Sequence, residues 1–593
     1  MASIAIDSMV AAGPLRVANK RLESLLVARM RALLLMPAFG LIALVALLRI
    51  AAFGVLGGPD IQLSMEQRLL PPRGEITDRN GLPLARNYDA FALWYDPSEM
   101  KDGGSPLVHT PEEVAASLAA IFPDIDQADM AHRLASGKRQ YLRRRLLPEE
   151  ANRVFDIGEP ALELPAEKDR FYPQGSMAAH VLGYVTDGED EDGNVVKVGN
   201  LGMEAVLNER LNDPAHRGEP AAIALDLRVQ GALEDELRKG MLAVNARGAT
   251  GLVLDVDTGE VIALASLPSF DPNDVKPSDL IGTPEQQRLK QPANSFNSVT
   301  HQVYELGSTF KPLSIAAAID AGIVRDLSLR YDAKPVKVAG RTLSDSHSLG
   351  DTLNVPEALI HSSNTVTARI ADKLGGDRLR DTMRDLGFAE RPYIELPSRG
   401  KPLWPGEKWS RITTMTVSYG HGVSVTPLHL ASAYAAMVNG GIWRPATLLK
   451  VEPGQEVRGR RVFKEDTSAR MRQLLRMIAI YGTGKSADAP GYRVGGKTGS
   501  AEKPSRGGYK EKLLVSTFAA AFPMDDPRYV VVAMLDEPKG TTASSFQRTA
   551  AWNAAPIVGK LVPRIGPLLD VRPDLSRDID ISDLRPLIRS EIK

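Results

Sequence analysis

The sequence contains no cysteine, and this absence excludes several kinds of chemistry. Among its 593 residues there is no thiol, so disulfides, thiolate metal sites, cysteine nucleophiles and a lipid-modified N-terminal cysteine are excluded. The nine histidines are scattered and form no HExxH pair, and no Gly-rich phosphate loop is present. The remaining chemistry rests on Ser, Thr, Lys, Asp and Glu, and neither a cofactor nor a metal ion is expected.

An excess of charge of one sign is also lacking. Lys and Arg number 72 against 73 Asp and Glu, which gives a formal net charge of −1. No nucleic-acid partner is therefore expected. Hydrophobic residues make up 43% and charged residues 24% of the chain, as in ordinary globular proteins, and the length corresponds to about four domain-sized units.

Long apolar runs are scarce, with one exception near the N-terminus. Residues 32–48 are uncharged and mostly apolar, and a second apolar stretch covers 50–56. Because a helix needs about 20 residues to cross a bilayer, we predict a transmembrane anchor over 32–56. Basic residues dominate 1–31, which predicts a cytoplasmic N-terminal segment and a location outside the cytoplasm for the rest. A cleaved signal peptide is the alternative, but the basic segment is long for one.

The rest of the chain changes character at about residue 226. Residues 57–225 contain turn signals but no catalytic constellation, and their basic stretch 138–145 is predicted to be a helix with a solvated face. Residues 226–570 have the pattern of a folded domain, described below. The last stretch, 571–593, is charged and is predicted to be a surface tail.

Strand patterns stand at both ends of the 226–570 region. Near its start, residues 251–265 predict two apolar strands joined by a turn at Asp257-Thr258-Gly259, and near its end 513–522 and 528–535 are rich in β-forming residues. Helix-forming segments, such as 313–321 and 428–438, lie between them. This arrangement predicts one α/β-type domain whose sheet is assembled from distant segments.

Three short motifs follow one another in this region. They are Ser308-Thr309-Phe310-Lys311, Ser362-Ser363-Asn364 and Lys497-Thr498-Gly499. A single SxxK is expected by chance about twice in a chain of this length, and Ser590–Lys593 matches too, as Ser295–Asn297 matches SxN out of order. The ordered triple is specific, and it is the signature of penicillin-binding proteins and active-site serine β-lactamases.

The first motif predicts an activated serine. Gly307 permits a tight entry into a helix, and Pro312 falls in its first turn, where a missing N–H does no harm. Residues three apart share a helix face, so Lys311 can reach Ser308. A dry pocket and the positive helix N-terminus favour a neutral Lys311, which can act as general base towards the Ser308 hydroxyl. Backbone N–H groups at the helix start, with one from a nearby strand, predict an oxyanion hole.

The other two motifs predict proton transfer and substrate binding. Ser362 can relay a proton between Lys311 and the leaving amine, and Asn364 can hold Lys311 and the substrate backbone. A helix N-cap is an equally open interpretation of these residues. The Gly-rich segment Lys497-Thr498-Gly499-Ser500 predicts a strand that lets a substrate peptide approach closely, with Lys497 and Thr498 offering a cation and a hydroxyl to its terminal carboxylate.

With these motifs the chain resembles class B penicillin-binding proteins of the division-associated FtsI type. Further segments that carry the resemblance are Arg73–Gly81, Gly202-Met203-Glu204, Tyr304–Ser308 and Tyr419–Gly422. The resemblance implies that 57–225 is a non-catalytic pedestal domain and that 226–570 is a transpeptidase domain with a five-stranded sheet covered by helices. Leu306, His421 and Ser500 depart from the residues common in the family, but none is a catalytic group.

The resemblance also implies an activity and partners. It implies that Ser308 is acylated by a D-Ala-D-Ala stem peptide and that an amine on a neighbouring strand resolves the acyl-enzyme, during septum formation in a bacterial inner membrane. Implied partners are nascent lipid-linked glycan, an FtsW-type glycosyltransferase, other division proteins, and β-lactams as inhibitors. The alternatives are an elongation enzyme with the same chemistry, a β-lactamase or carboxypeptidase, and a catalytically silent scaffold.

Overall fold

The structure is a computed structural model that describes residues 30, 44, 73–99, 107–189, 195–216, 218–503 and 513–589. The predicted cytoplasmic segment 1–31 and anchor 32–56 lie outside the described residues, apart from Met30 and Leu44. Within the described ranges, no helix is long and apolar enough to cross a membrane. Contacts divide the chain into two units, 1–70 and 71–593, and the described fold is that of the second unit.

The N-terminal part of this unit is built around a six-stranded sheet. The 13-residue strand β2 is its centre, since it pairs with four of the other strands, and the short strand β1 pairs parallel with β8. The elements of this part are β1 Ile76–Thr77, β2 Pro83–Tyr95, α1 Pro111–Ile121, α2 Gln127–Ala135, β3 Gln140–Leu146, α3 Pro148–Phe155, β4 Leu162–Glu163, β5 Ala166–Phe171, α4 Ala179–Leu182, β6 Tyr184–Glu189, β7 Val195–Asn200, α5 Gly202–Val206, α6 Asn208–Asn212 and β8 Ala221–Ala222.

The basic stretch 138–145 is not a helix, and that prediction was wrong. Most of it forms strand β3, which pairs antiparallel with β2. Leu142 and Leu146 point into the local core, while the Arg143 guanidinium lies 4.5 Å from the centre of the Phe122 ring. Pairing with a long neighbouring strand outweighs the local preference for helix, because strand stability depends on cross-strand packing.

A buried ion network joins two distant segments of the N-terminal part. The Glu204 carboxylate, fully buried, accepts hydrogen bonds from Arg73 at 2.7 and 2.9 Å and from Arg170 at 2.7 Å. The Arg170 guanidinium also donates to the Gly74 carbonyl at 2.7 Å. The segments Arg73–Gly81 and Gly202-Met203-Glu204, singled out in the sequence, therefore meet in one buried ion network.

The C-terminal part is an antiparallel five-stranded sheet in the order β10-β9-β19-β18-β17. Its elements are α7 Leu227–Ala243, β9 Gly248–Asp255, β10 Val261–Leu267, α8 Pro277–Ile281, α9 Pro284–Arg288, α10 Lys311–Asp320, β11 Tyr331–Asp332, β12 Val336–Val338, β13 Arg341–Leu343, β14 Thr352–Leu353, α11 Val355–Ile360, α12 Asn364–Leu374, α13 Gly376–Asp385, α14 Arg411–Val417, α15 Pro427–Val438, β15 Ile442–Trp443, β16 Arg460–Arg461, α16 Glu465–Tyr481, β17 Gly495–Glu502, β18 Leu514–Phe522, β19 Tyr529–Asp536 and α17 Ala554–Ile565. The predicted five-stranded sheet with helices, assembled from distant segments, is confirmed.

Both faces of this sheet are covered, and this determines where the site lies. Alternate residues of the strands contribute to two separate cores, one shared with helices α10, α15 and α16 and the other with α7 and α17. Strand β17 is at the edge of the sheet and pairs only with β18 there. The other long side of β17 is therefore available beside the helical lobe.

The C-terminal segment packs against the fold, which differs from the predicted surface tail. Val571, Ile581, Leu584 and Ile588 are buried in the cores. The acidic residues that gave the segment its charged composition include ion-pair partners of arginines on helix α16. Charge composition alone could not distinguish a solvated tail from a segment whose charges are paired with the domain.

Candidate active site

Ser308 stands where a tight turn enters helix α10. Gly307 has a φ of +54°, in the left-handed region that favours glycine, and residues Gly307–Phe310 form a single 3₁₀ turn that leads directly into Lys311. Pro312 occupies the first turn of the helix, as predicted. Ser308 is half-buried, and within the described ranges its hydroxyl forms no hydrogen bond, either with Lys311 or with another group.

Lys311 is fully buried at the base of the site. Its amine donates a hydrogen bond to the Ser362 hydroxyl at 3.0 Å and another to the Ser362 carbonyl oxygen. Burial, and then the positive charge of Lys497, hold the pKa of the Lys311 ammonium well below its usual value, although Asp345 acts in the opposite direction. A neutral amine at this position can accept a proton at ordinary pH.

The Ser362 hydroxyl lies between two amines. The Lys497 amine donates to it at 3.0 Å and also to the Thr498 carbonyl oxygen at 2.9 Å. Burial lowers the pKa of Lys497 to about 7. Ser362 itself has a φ of +62°, an unusual value for serine of the kind that is concentrated at functional sites. The structure thus brings together three predicted residues that are far apart in the chain.

Asn364 is at the start of α12. Its amide donates to the Ser344 carbonyl at 3.1 Å, and among the described residues it forms no hydrogen bond with Lys311. Ser363 is the N-cap of the helix and accepts from the Val366 N–H at 3.2 Å. The N-cap interpretation therefore holds for Ser363 of this motif.

Asp345 is a site residue that the sequence analysis missed. Its carboxylate accepts from the Ser363 hydroxyl at 2.8 Å, from the Thr365 hydroxyl at 2.9 Å, and from the Asn364 and Thr365 N–H groups at 2.5 and 3.1 Å. It fixes the loop that carries Ser362. No local signal marks it, because it stands in a polar loop 18 to 20 positions before its partners.

Strand β17 packs against the Ser308 turn at Gly499, which has no side chain. A Cβ atom at Gly499 would lie 2.4 Å from the Leu306 carbonyl oxygen and 2.8 Å from the Thr309 methyl carbon. The sequence explained this glycine by the approach of a substrate backbone, whereas the structure shows that the protein's own turn also requires it. Gly307 is reciprocally close to Ser500, whose hydroxyl accepts from the Ala550 N–H at 3.0 Å.

Thr498 has a partner that the sequence did not indicate. Its hydroxyl lies 2.7 Å from that of Thr483, in the turn after helix α16. The Lys497 amine is 3.3 Å from the same Thr498 oxygen. Thr483, Thr498, Lys497, Ser362 and Lys311 therefore form a continuous polar chain that ends beside the Ser308 turn. Such a chain can carry protons and can offer a cation and hydroxyls to an anionic group.

Comparisons with known proteins place the chain in a family. Residues 249–560 match the penicillin binding protein transpeptidase domain, and residues 68–233 match the penicillin-binding protein dimerisation domain. A probable peptidoglycan D,D-transpeptidase FtsI from Caulobacter vibrioides is 38% identical over 510 residues, which cover 84% of this chain and 82% of the relative. The chain belongs to the class B penicillin-binding proteins. The resemblance drawn from the motifs is thereby confirmed.

Two more comparisons bear on this class B penicillin-binding protein. The peptidoglycan D,D-transpeptidase FtsI of Escherichia coli K12 is 29% identical over 532 residues, 87% of each chain. The crystal structure of penicillin binding protein 3 from Mycobacterium tuberculosis, complexed with aztreonam, has a TM-score of 0.62 at 24% identity and covers 85% of this chain and 98% of that one. The structural likeness confirms the fold expected from the sequence.

Proposed function

We propose that this protein is a serine D,D-transpeptidase that cross-links the stem peptides of peptidoglycan through an acyl-enzyme on Ser308. The observation that carries the proposal is the Ser362 hydroxyl held 3.0 Å from the amines of both Lys311 and Lys497, beside the turn that presents Ser308. Membership of the family, and the D,D-transpeptidase names of its relatives, support the same activity.

Acylation uses the buried lysine as base. The Ser308 hydroxyl attacks the carbonyl carbon of the penultimate D-alanine while the neutral Lys311 amine takes its proton. Backbone N–H groups at the start of the helix and on β17 stabilise the oxyanion. The proton then passes through the Ser362 hydroxyl to the leaving amine, the C–N bond breaks, and the terminal D-alanine departs. The low pKa of Lys311 supports this role.

Deacylation reverses the proton path. The amine of a neighbouring stem peptide attacks the acyl carbonyl and loses a proton through Ser362 to Lys311, while Ser308 leaves with its hydroxyl restored. The new amide bond is the cross-link. A hydrolase would use water at this step instead.

Substrate binding falls to strand β17 and its neighbours. Its open edge can take the donor peptide as an additional strand, and Lys497 with the Thr498 hydroxyl can hold the terminal carboxylate or that of a β-lactam. Gly499 and Ser500 continue the strand beside the Ser308 turn. We assign Asn364 to contact with the substrate backbone, because its half-buried side chain is at the rim beside Ser344.

The apolar run near the N-terminus completes the proposed organisation. An anchor over 32–56, with 1–31 in the cytoplasm, places the pedestal domain 57–225 and the transpeptidase domain 226–570 in the periplasm at the inner membrane. Cross-linking acts on nascent glycan, so an FtsW-type glycosyltransferase that supplies it, together with other division proteins, is the proposed set of partners. The names of the FtsI relatives favour a septal role over elongation.

The test is the reaction itself. Purified protein is incubated with a donor peptide that ends in D-Ala-D-Ala and with an amine acceptor, and mass spectrometry follows D-alanine release and the cross-linked product. Ser308→Ala is compared with Ser590→Ala, which removes the serine of the second SxxK match. Product from the parent and from Ser590→Ala but not from Ser308→Ala supports the proposal. Release of D-alanine without cross-link would indicate a carboxypeptidase, and no reaction with a donor or a β-lactam would indicate a silent scaffold.

A further inference from the structure

The C-terminal residues 571–589, called the strap below, are tied along helix α16. Asp583 pairs with Arg470 at 2.5 Å, and the Asp580 carbonyl oxygen accepts from the Gln473 amide at 2.6 Å. Ile581 and Leu584 between these contacts are buried, with 6% and 1% exposure. A segment with alternating ion pairs and buried apolar side chains is part of the folded domain.

Arg476 connects the strap to strand β17. Its guanidinium grips the Asp578 carboxylate with contacts of 2.6 and 2.9 Å, and its remaining nitrogen donates to Asp488 at 2.6 Å and to the Val494 carbonyl oxygen at 2.9 Å. The side chain of Arg476 is only 9% exposed. Because Val494 directly precedes β17 and stands three residues before Lys497, this guanidinium fixes the start of the substrate-binding strand.

The far end of the strap reaches helix α11. The Leu587 carbonyl accepts from the Asn354 side chain at 2.6 Å, and the Arg589 backbone and guanidinium approach the Glu357 carboxylate at 3.3 and 3.4 Å. Glu357 is fully buried, and Arg330 is its other cationic partner, at 2.9 Å. Ile588 packs in the main core with 3% exposure.

Helix α11 leads straight into the catalytic loop. It spans six residues and is capped at its C-terminus by His361, and the next residue is Ser362. Because this helix is short, a displacement of Glu357 is expected to shift Ser362 as well. Within the site, the bridge between this loop and β17 is the hydrogen bond from Lys497 to Ser362. The strap therefore contacts one residue on each side of this hydrogen bond. Glu357 lies on the helix that leads to Ser362, and Arg476 is bonded to the start of β17.

We propose that the strap positions Ser362 against Lys497, acting through Glu357 on the side of the loop and through Arg476 on the side of the strand. Both are positioning residues, since neither is in contact with Ser308. The inference rests on the proposed function, because it concerns the same proton path. Displacements of about 1 Å in such a path can cost up to about 100-fold in rate, so a clamp on both walls has a direct catalytic consequence.

The experiment measures acylation of the full-length protein by a fluorescent penicillin over a range of concentrations. This separates the first-order acylation constant at saturation from the concentration that gives half of it. Asp578→Asn weakens the grip of Arg476, and we expect it to lower the first-order constant about tenfold with little change in the half-saturating concentration. Asp578→Glu keeps the charge and should restore most of the rate. Arg589→Ala tests the other end and should also lower the first-order constant.

The matched control is Asp574→Asn, which makes the same change on the same strap. The Asp574 carboxylate accepts hydrogen bonds from the Ser576 N–H and hydroxyl within the strap, and in the described part of the chain no hydrogen bond links it to Arg476 or Glu357. We therefore expect the acylation constant of this variant to equal that of the parent. Thermal unfolding of every variant is recorded, and labelling is measured well below the lowest transition. A reduced amount of labelled protein with an unchanged first-order constant would show a structural role only and would overturn the inference. An unlabelled but folded parent would instead overturn the proposed function, and this inference with it.

Discussion

At the residue scale, the amines of Lys311 and Lys497 both hydrogen-bond to the Ser362 hydroxyl, and this arrangement determines how the site responds to pH. Lys311 and Lys497 are both fully buried and both contact Ser362. Two positive charges so close together, out of water, are unfavourable, so at least one amine is neutral near neutral pH. The neutral form of Lys311 is the one that can take a proton from Ser308. Acylation should therefore increase with pH as Lys311 loses its proton.

The first prediction concerns the charge of Lys497. This charge lowers the pKa of Lys311, so Lys497→Met should raise that pKa and move the acidic limb of the acylation profile to higher pH. The overall rate should also fall, because the substrate carboxylate loses a partner. The measurement is the rate of labelling by a fluorescent penicillin as a function of pH, over the range in which both parent and variant stay folded.

Asp345→Asn should shift the acidic limb of the acylation profile in the direction opposite to that expected for Lys497→Met. Its negative charge raises the pKa of Lys311, and asparagine still offers an oxygen to the N–H groups of Asn364 and Thr365. The limb should then lie at lower pH than in the parent. Shifts of the same sign in both variants would show that the charges of these residues do not control Lys311.

The second prediction is that Lys497→Met stabilises the fold at pH 7. The folded pKa of Lys497 is lowered from 10.5 to about 7, so the unfolded chain binds this proton more tightly than the folded chain. The destabilisation is greatest below pH 7 and disappears as the pH rises from 7 to 10.5. The variant should gain on the order of 1 kcal/mol or more in urea unfolding at pH 7, and its advantage should shrink by pH 10. Equal stability at both pH values would contradict this.

Sequence motifs singled out residues that the structure brings together, and gave no sign of others that join them through contacts in the fold. Ser308, Lys311, Ser362 and Lys497 stand in tripeptides or tetrapeptides whose spacing can be recognised. Asp345 and Thr483 approach the same site from a loop and a turn that carry no such pattern. The direction of the Asn364 side chain was likewise not contained in its motif, because it depends on the position of the neighbouring Ser344 loop.

At the element scale, strand β17 and the Ser308 turn can pack closely because Gly499 has no side chain. The third prediction is that Gly499→Ala loses acylation. Its Cβ would lie 2.4 Å from a backbone oxygen that cannot move without the Ser308 turn. We expect acylation to fall by about tenfold or more and stability by about 1–3 kcal/mol, measured by labelling rate and urea unfolding.

Gly231→Ala is the control for this substitution. Gly231 lies inside helix α7, and a Cβ there would meet the Met177 methyl at an ordinary 3.5 Å. Alanine is favoured over glycine in a helix interior by about 1 kcal/mol, so this variant should be as stable as the parent or more so, with normal labelling. Normal labelling of Gly499→Ala as well would contradict the close contact.

Elements whose apolar residues recur at a regular spacing were predicted well, whereas the stretch 138–145, which lacks such a spacing, was not. The two strands around Asp257–Gly259 and the helix after Ser308 agree with β9, β10 and α10 within a few residues. In the stretch 138–145, a run of arginines hid the buried Leu142, and only pairing with β2 makes it a strand. That pairing involves residues about 45 positions away, which no local window includes.

On the scale of the whole molecule, the buried ion network around Glu204 holds the N-terminal part together. The fourth prediction is that Glu204→Ala destabilises the protein by about 3–5 kcal/mol, because it leaves the buried guanidiniums of Arg73 and Arg170 without their counter-ion. Glu75→Ala breaks the half-exposed pair with Arg86 and should cost less than about 1 kcal/mol. Chemical denaturation compares the two, and similar losses would contradict the role given to the network.

The arrangement of the whole chain was predictable only in part. Family motifs gave the sheet, its helical cover and the separate N-terminal part. The course of the last residues was not predictable, because Asp578 and Arg589 have partners more than 100 positions away. Contacts of this kind depend on the completed fold, and they make the end of the chain part of the domain.

The central claim is that Ser308 is the nucleophile, and covalent labelling tests it most directly. Purified protein and its Ser308→Ala variant are incubated with a fluorescent penicillin, and the labelled peptide is identified by mass spectrometry. We predict one label per chain on Ser308 and none on the folded variant. Label at another residue, or equal labelling of Ser308→Ala, would contradict it.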